Sequence, residues 1–285
     1  MDRDILEAGR SPETGREETR GGRGSRPEDP RPTTSSARSR PSQEIPQREY
    51  RLSDSARQSM ADIGRFRTVS SEELARQRYN GDAGKMQQDI RHLSSQKLVR
   101  TRSVWLGKGK ERLEVVTLTR RGKQVLERSG EKGTFYAGFV KPAEMAHDAA
   151  IYRMYEAEAA RISKQGGEIR KITLDYELKR RVYSPLAKIR PGSPEYSKQQ
   201  AEIASRNGLK VVRGHMQLPD LRIEYVTRNG AIERTDLELA TPHYRPGQLG
   251  AKAQAGFKFY ASNSDHARLS AVFDDHHITS EILWL

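Results

Sequence analysis

Cysteine does not occur anywhere in the 285 residues. Its absence excludes a disulfide framework, a thiolate zinc site and a cysteine nucleophile, and fits a reducing compartment. Long apolar runs are missing too: nothing approaches the about 18 uninterrupted apolar residues that a membrane span needs, so no membrane partner is expected. Residues 1 to 10 contain Asp2, Asp4 and Glu7 and no apolar core, unlike a signal peptide, and a cytoplasmic location is the expectation. Hydrophobic residues make up only 34% of the chain, which leaves part of it with too little apolar surface to fold. The poverty concentrates in residues 1–49, which hold no Lys, Phe, Trp or Val and are rich in Arg, Pro, Gly, Ser and Glu. That stretch reads as a disordered arm. At roughly 100 to 200 residues per domain the remainder is expected to form two domains, 50–133 and 134–285.

Charge is unevenly spread. Lysines and arginines number 10 against 10 acids in residues 1–49, 19 against 10 in 50–133, and 22 against 18 in 134–285. The middle segment therefore carries +9 of the formal +13. A local excess of that kind is the electrostatic footprint of a nucleic-acid binder, because each neutralised phosphate releases counterions.

Ser53 caps a first helix with Ala56, Met60 and Ile63 at spacings of four and three, closed by Gly64 and Phe66. Ser70 and Glu73 have capping-box spacing for a second helix, with Leu74, Ala75 and Tyr79 on its buried side before the Asn80-Gly81 turn. Asp82 caps a third. Its Met86, Ile90 and Leu93 recur at i, i+4 and i+7, leaving Lys85, Gln87, Gln88 and Arg91 outward, types that reach phosphates and base edges. A hairpin follows, Arg100 to Leu106 and Arg112 to Leu118, around the tip Gly107-Lys108-Gly109-Lys110, whose two lysines would face a phosphate backbone. Thr119 caps a short helix with Val125 and Leu126. Residues 147–163 read as another helix whose stripe of His147, Ile151, Met154, Tyr155, Glu158 and Ile162 puts a carboxylate on the apolar side. An inward carboxylate is costly unless it is paired or binds a cation.

Strands are expected at 168–174, Leu221 to Val226 and Glu233 to Leu239, with a helix at 194–206. Register decides where the last two strands aim their carboxylates. A two-residue Asn-Gly loop would pair 228 with 231 and separate Asp220 from Glu238. A three-residue loop with Gly230 in the left-handed position pairs 227 with 231 and sets 220 opposite 238. Burial favours the latter, because Leu221, Ile223, Tyr225, Leu237 and Leu239 then share one face. It places two carboxylates side by side, about 5 Å apart at Cβ. A hard divalent cation, Mg2+ or Mn2+, is the usual remedy for their repulsion.

Three helices, a basic-tipped hairpin and a closing helix resemble the winged helix-turn-helix family over about 80 residues. The helix bearing Glu158, then Leu218-Pro219-Asp220, the hairpin and Asp236-Leu237-Glu238 resemble the PD-(D/E)xK nuclease superfamily. A helix from about Gln248 to Tyr260 and a strand Leu269 to Asp274 complete that pattern. With His147-Asp148 leading the first helix, the whole of residues 50–285 is similar to the replication-relaxation family of plasmids and integrative elements. The resemblance implies an α+β chain, a winged helix fused to a PD-(D/E)xK-like α/β domain. It further implies Asp220, Glu238 and Glu158 as metal ligands, double-stranded DNA as partner, and a relaxase or replication protein as a second partner in replication or conjugative transfer.

The superfamily lysine belongs two residues beyond the second acid, where this chain has Ala240. Catalysis therefore needs a displaced lysine, with Lys252 and Lys258 as the candidates, or it is weak or absent. Both lysines are equally compatible with covering helix surface. Without chemistry the chain would read as a winged-helix regulator whose C-terminal part serves dimerisation or effector contact. Asp274-Asp275-His276-His277 has ligand chemistry but reads as a solvated loop, and no glycine-rich phosphate loop, Ser/His/Asp spacing or HExxH occurs.

Overall fold

The computed structural model describes residues 50, 52–105, 112–241, 244–275, 277, 278, 280 and 282–285. Local signals organise the first part. Ser53 accepts the amide of Ala56 and starts α1, Asp54–Phe66, which buries Ala56, Met60, Ile63 and Phe66. A two-residue strand β1, Val69–Ser70, leads into α2, Ser71–Arg78, where the Ser70 hydroxyl accepts the Glu73 amide at 3.1 Å. The reciprocal half of the expected capping box is replaced: the Glu73 carboxylate takes Arg76 at 3.1 Å and Arg153 at 2.6 Å instead. Asn80 and Gly81, both at positive φ, turn the chain into α3, Ala83–Ser95, capped by Asp82. Strands β2, Val99–Trp105, and β3, Arg112–Leu118, pair antiparallel, and β1 joins β3 to give a sheet of order β1-β3-β2. Thr119 then caps α4, Arg120–Arg128.

Helix α5, Pro142–Lys164, starts earlier than the periodicity from His147 implies and buries more than one stripe. Its Asp148 receives two hydrogen bonds from Arg67, at 2.9 and 2.7 Å, and Tyr152 donates to buried Asp62 at 2.9 Å. Arg78 pairs with Asp62 and also with Glu156 at 3.1 Å. Breaking one partner of such a network costs about 3 to 5 kcal/mol where burial is deep. Leu52–Leu285 form one compact unit.

On the other side of α5 lies a five-stranded sheet. Its strands are β4, Glu168–Leu174; β7, Leu221–Val226; β8, Ile232–Leu239; β9, Lys258–Ala261; and β10, Ile282–Trp284, in the order β10-β9-β8-β7-β4. Pairs β4/β7 and β7/β8 are antiparallel, and β8/β9 and β9/β10 parallel. Between β4 and β7 the chain makes α6, Asp175–Leu186, α7, Pro194–Arg206, and a small hairpin of β5, Val211–Val212, and β6, His215–Met216. Helix α8, Pro246–Ala255, links β8 to β9, and α9, His266–Asp275, links β9 to β10.

Two expectations for the C-terminal stretch are corrected. The helix ends at Ala255 because Gly256 takes the left-handed conformation, φ 88, so Lys258 and Tyr260 lie on a strand. Leu269 to Asp274 is helical, with Leu269 and Phe273 buried at i, i+4. The molecule is thus a mixed α and β chain, and among the described residues no helix is long and apolar enough to cross a membrane.

Candidate functional site

The β7/β8 hairpin has the three-residue loop. The Thr227 amide donates to the Ala231 carbonyl at 2.8 Å, Gly230 sits at φ 81, and Leu221 opposes Leu237. Continuing that register one step sets Asp220 opposite Glu238. Asp220 precedes β7, and its side chain reaches across the end of the sheet to accept the Leu239 amide at Oδ2, 2.9 Å. Its Oδ1 lies 3.7 Å from His147 Nε2. Glu238 is fully buried; Oε1 accepts from Lys252 Nζ at 2.8 Å and from the Tyr244 hydroxyl at 2.5 Å. Its Oε2 has no hydrogen-bond partner among the described residues. Lys252 also donates to the Leu218 carbonyl at 2.9 Å, which fixes its ammonium between α8 and the chain entering β7.

Electrostatics divide the pair. Burial, then the Asp220 charge, push the Glu238 carboxyl up to about 7, against the opposing pull of Lys252 and Tyr244. Burial acts the same way on Asp220, but the hydrogen bond and charge of His147, the charge of Lys252 and the Leu239 amide outweigh it and hold that carboxyl below its ordinary value. His147 is correspondingly raised well above the ordinary imidazole value, because Asp148 and Asp220 together overcome its burial. One carboxylate is thus firmly ionised, and its neighbour is poised near neutrality.

Glu158 does not join them. It is fully buried, but its partners are Arg161 through Nε and Nη2, Tyr260 at 2.6 Å and Lys258 at 3.4 Å. The reason is strand alternation. Phe259 pairs with Glu238, so Lys258 and Tyr260 emerge beside Leu237 and Leu239 on the other face, where α5 packs. Of the two candidate lysines, Lys252 therefore meets the carboxylate pair and Lys258 pairs with Glu158. Among the described residues no cluster of three His, Cys, Asp or Glu forms a metal cage. His147 and Tyr244 were not among the expected site residues. The helical stripe placed His147 inward, yet its approach to Asp220 depends on how α5 lies on the sheet.

A second candidate surface is the outer side of α3. Asp89 accepts from Ser55 at 3.1 Å and from Tyr79 at 3.2 Å, which pins the inner side against α1. Lys85, Gln87, Gln88 and Arg91 are all exposed. Lys108 and Lys110 lie outside the described residues. The strands leading to them carry exposed Arg100, Arg102 and Arg112, and Trp105 is 64% exposed.

No family model matches the chain, and no curated protein matches it. Among solved structures it is similar to the crystal structure of Bacillus subtilis PadR in complex with operator DNA, at 14% identity and a TM-score of 0.23, over 54% of this chain and 93% of that one.

Proposed function

We propose that this chain binds duplex DNA through the outer side of α3, as a winged helix does, and acts on it with a PD-(D/E)xK-like site. The single observation that carries the reading is the contact of Lys252 with Glu238 at 2.8 Å beside Asp220. It supplies a cation from α8 where the superfamily pattern has lost its lysine at Ala240. Two features of connectivity support it. The order α1-β1-α2-α3-β2-β3-α4 with sheet order β1-β3-β2 suits a winged helix. The order α5-β4-β7-β8-α8-β9, with an antiparallel meander followed by a parallel strand, suits the superfamily core. The replication-relaxation resemblance extends the proposal to replication or transfer of a mobile element, with a relaxase or replication protein as the second partner.

Phosphodiester hydrolysis needs a water to be deprotonated, charge on the phosphoryl oxygens to be stabilised, and the scissile bond to be held in line. Asp220 and Glu238 are the residues that would hold Mg2+ or Mn2+, and Glu238 Oε2, lacking a described partner, fits that role; waters would complete the coordination. The ion would polarise the phosphoryl oxygen and lower the pKa of a bound water. Lys252 stands where its ammonium can donate to charge developing in the transition state. His147 keeps Asp220 ionised and oriented. A nicking assay on supercoiled plasmid with Mg2+ or Mn2+ tests the proposal, with wild type beside Asp220→Ala. Nicking that Asp220→Ala abolishes supports it. Duplex binding without metal-dependent nicking would leave only the binding half and favour a regulator.

A further inference from the structure

The interval between β4 and β7 is a small subdomain with its own core. Val182, Leu186, Ile203, Ala204, Leu209 and Met216 pack together, and Leu218 joins them from the chain leading to Asp220. Its sequence is electropositive. Residues 175–220, from the start of α6 to the start of β7, hold nine lysines and arginines against five acids, whereas the rest of 134–285 holds thirteen against thirteen. The subdomain is therefore +4 on a body that is otherwise neutral.

All nine cations are exposed. Lys179, Arg181 and Arg206 have carboxylates on their own helices, Asp175, Glu177 and Glu202. Arg180, Lys188, Arg190, Lys198 and Arg213 have no carboxylate partner among the described residues. Arg213 is notable for its backbone. It sits at φ 52 at the tip of the β5/β6 hairpin, followed by Gly214 at φ 77, where a two-residue turn favours Asn-Gly. An exposed arginine held in a conformation that disfavours it contributes nothing to packing, so its charge is the feature that needs a reason.

The subdomain is fixed to the sheet next to the carboxylate pair. Arg222 on β7 donates to the Asn207 carbonyl at 2.5 Å and the Gly208 carbonyl at 3.3 Å while paired with Asp236 at 2.6 Å. Lys210 on the other flank reaches the Gln254 carbonyl of α8 at 3.4 Å. The start of α6 touches the site itself: the Asp175 amide donates to the Asp220 carbonyl at 3.0 Å, and Lys179 pairs with Asp175 at 2.9 Å. The subdomain is therefore anchored beside the carboxylates.

We propose that the α6, α7 and β5/β6 subdomain is a second DNA-binding surface, on which Lys188, Arg190, Lys198 and Arg213 hold the sugar-phosphate backbone of a duplex beside Asp220, Glu238 and Lys252. This rests on the DNA-processing reading above. Cations without carboxylate partners, spread over two helices, the loop between them and a hairpin, match a line of phosphates better than a compact anion. A DNA substrate engaged at α3 alone would have nothing to seat it at the carboxylates; this surface supplies that second grip.

The test uses the full chain and a fluorescent duplex of about 40 base pairs, with anisotropy titrations from about 50 to about 200 mM salt. Replacing Lys188, Arg190, Lys198 and Arg213 together by Gln should lower the slope of log K against log salt by about 0.9 for each phosphate no longer neutralised, up to about 3.6 for four. Arg213→Asn alone should lower it by about 0.9, and because Asn suits the left-handed position, loss of folding cannot explain that result. The comparison variant, Lys85→Gln with Arg91→Gln, reports on α3. If that pair lowers affinity while both subdomain variants match wild type in affinity and slope, DNA binding stands and the second surface is overturned. If wild type binds no duplex at all, the functional reading fails and this inference falls with it.

Discussion

Glu158 and Glu238 are both fully buried, on opposite faces of the same sheet, yet their surroundings treat them in opposite ways. Glu158 meets Arg161, Lys258 and Tyr260, enough donors for both oxygens, and although burial opposes it, their bonds and charges hold its carboxyl below the ordinary value. Glu238 meets one lysine and one tyrosine on a single oxygen, has a second carboxylate beside it, and is pushed up. A carboxylate whose bonds are complete is finished as a structural part. One that is costly to ionise and incompletely bonded among the described residues has capacity left for a ligand, a proton or a reacting group.

The contrast is broken most directly through the two lysines. If the Glu238 side is the reacting centre, Lys252→Ala should slow metal-dependent nicking by about 100- to 1000-fold, the usual loss for one donor to transition-state charge. Lys258→Ala should leave the rate within about twofold on the same scale. Equal losses would erase the distinction between the faces. Placing a lysine at Ala240, two residues beyond Glu238, is not a useful alternative. Ala240 is 1% exposed and packs with Leu249, Phe259 and Phe273, so Ala240→Lys buries an ammonium in an apolar cluster.

How far the sequence reveals this division depends on how local each determinant is. The 227-to-231 pairing was legible because Gly230 and the alternation from Leu221 to Leu239 act within one hairpin. The first three helices were legible from their caps at Ser53, Ser70 and Asp82, which bond within three residues. Glu158 could be read as inward, but not its face. That depends on a parallel strand register a hundred residues away, in a stretch where the continuing apolar pattern hides the helix end at Gly256. Helix α6 escaped although Leu178, Val182 and Leu186 recur every four residues, and with it went the charge contrast of the subdomain.

A stability measurement sharpens the comparison from the structural side. Glu158→Gln leaves the Tyr260 hydroxyl and the Arg161 guanidinium with weaker partners. Arg161 and Lys258 are each about a third exposed and can turn to water, so the cost is that of the buried hydroxyl and the weakened charged bonds, about 2 to 3 kcal/mol. Denaturant unfolding at about pH 7.5 should show this as a lower midpoint with an unchanged slope. No change would mean that the α5 face tolerates an unpaired cluster and that Glu158 is not structural.

The pH dependence carries the clearest sign. Glu238 titrates near 7 when folded and at an ordinary 4.5 when unfolded, so between those values the native state holds the proton more tightly. Its contribution is fully present below about 4.5 and is lost as pH rises through about 7, on the order of 3 kcal/mol. Glu158, with its lowered value, runs the other way, and its contribution is lost as pH falls through its folded pKa. Glu238→Gln cannot ionise, so in chelator-containing buffer its stability relative to wild type should climb between about pH 4.5 and 7 and level off above. Glu158→Gln should keep a constant deficit above about pH 4.5 and approach wild type only below it. Melting temperatures of the two variants and wild type, taken from about pH 3 to about pH 8, should therefore place the Glu238 change above about pH 4.5 and the Glu158 change below it. If Glu238→Gln instead tracks wild type at a constant offset, Glu238 is ionised in the folded protein across the range, and the poised carboxyl on which the proposed site depends is absent.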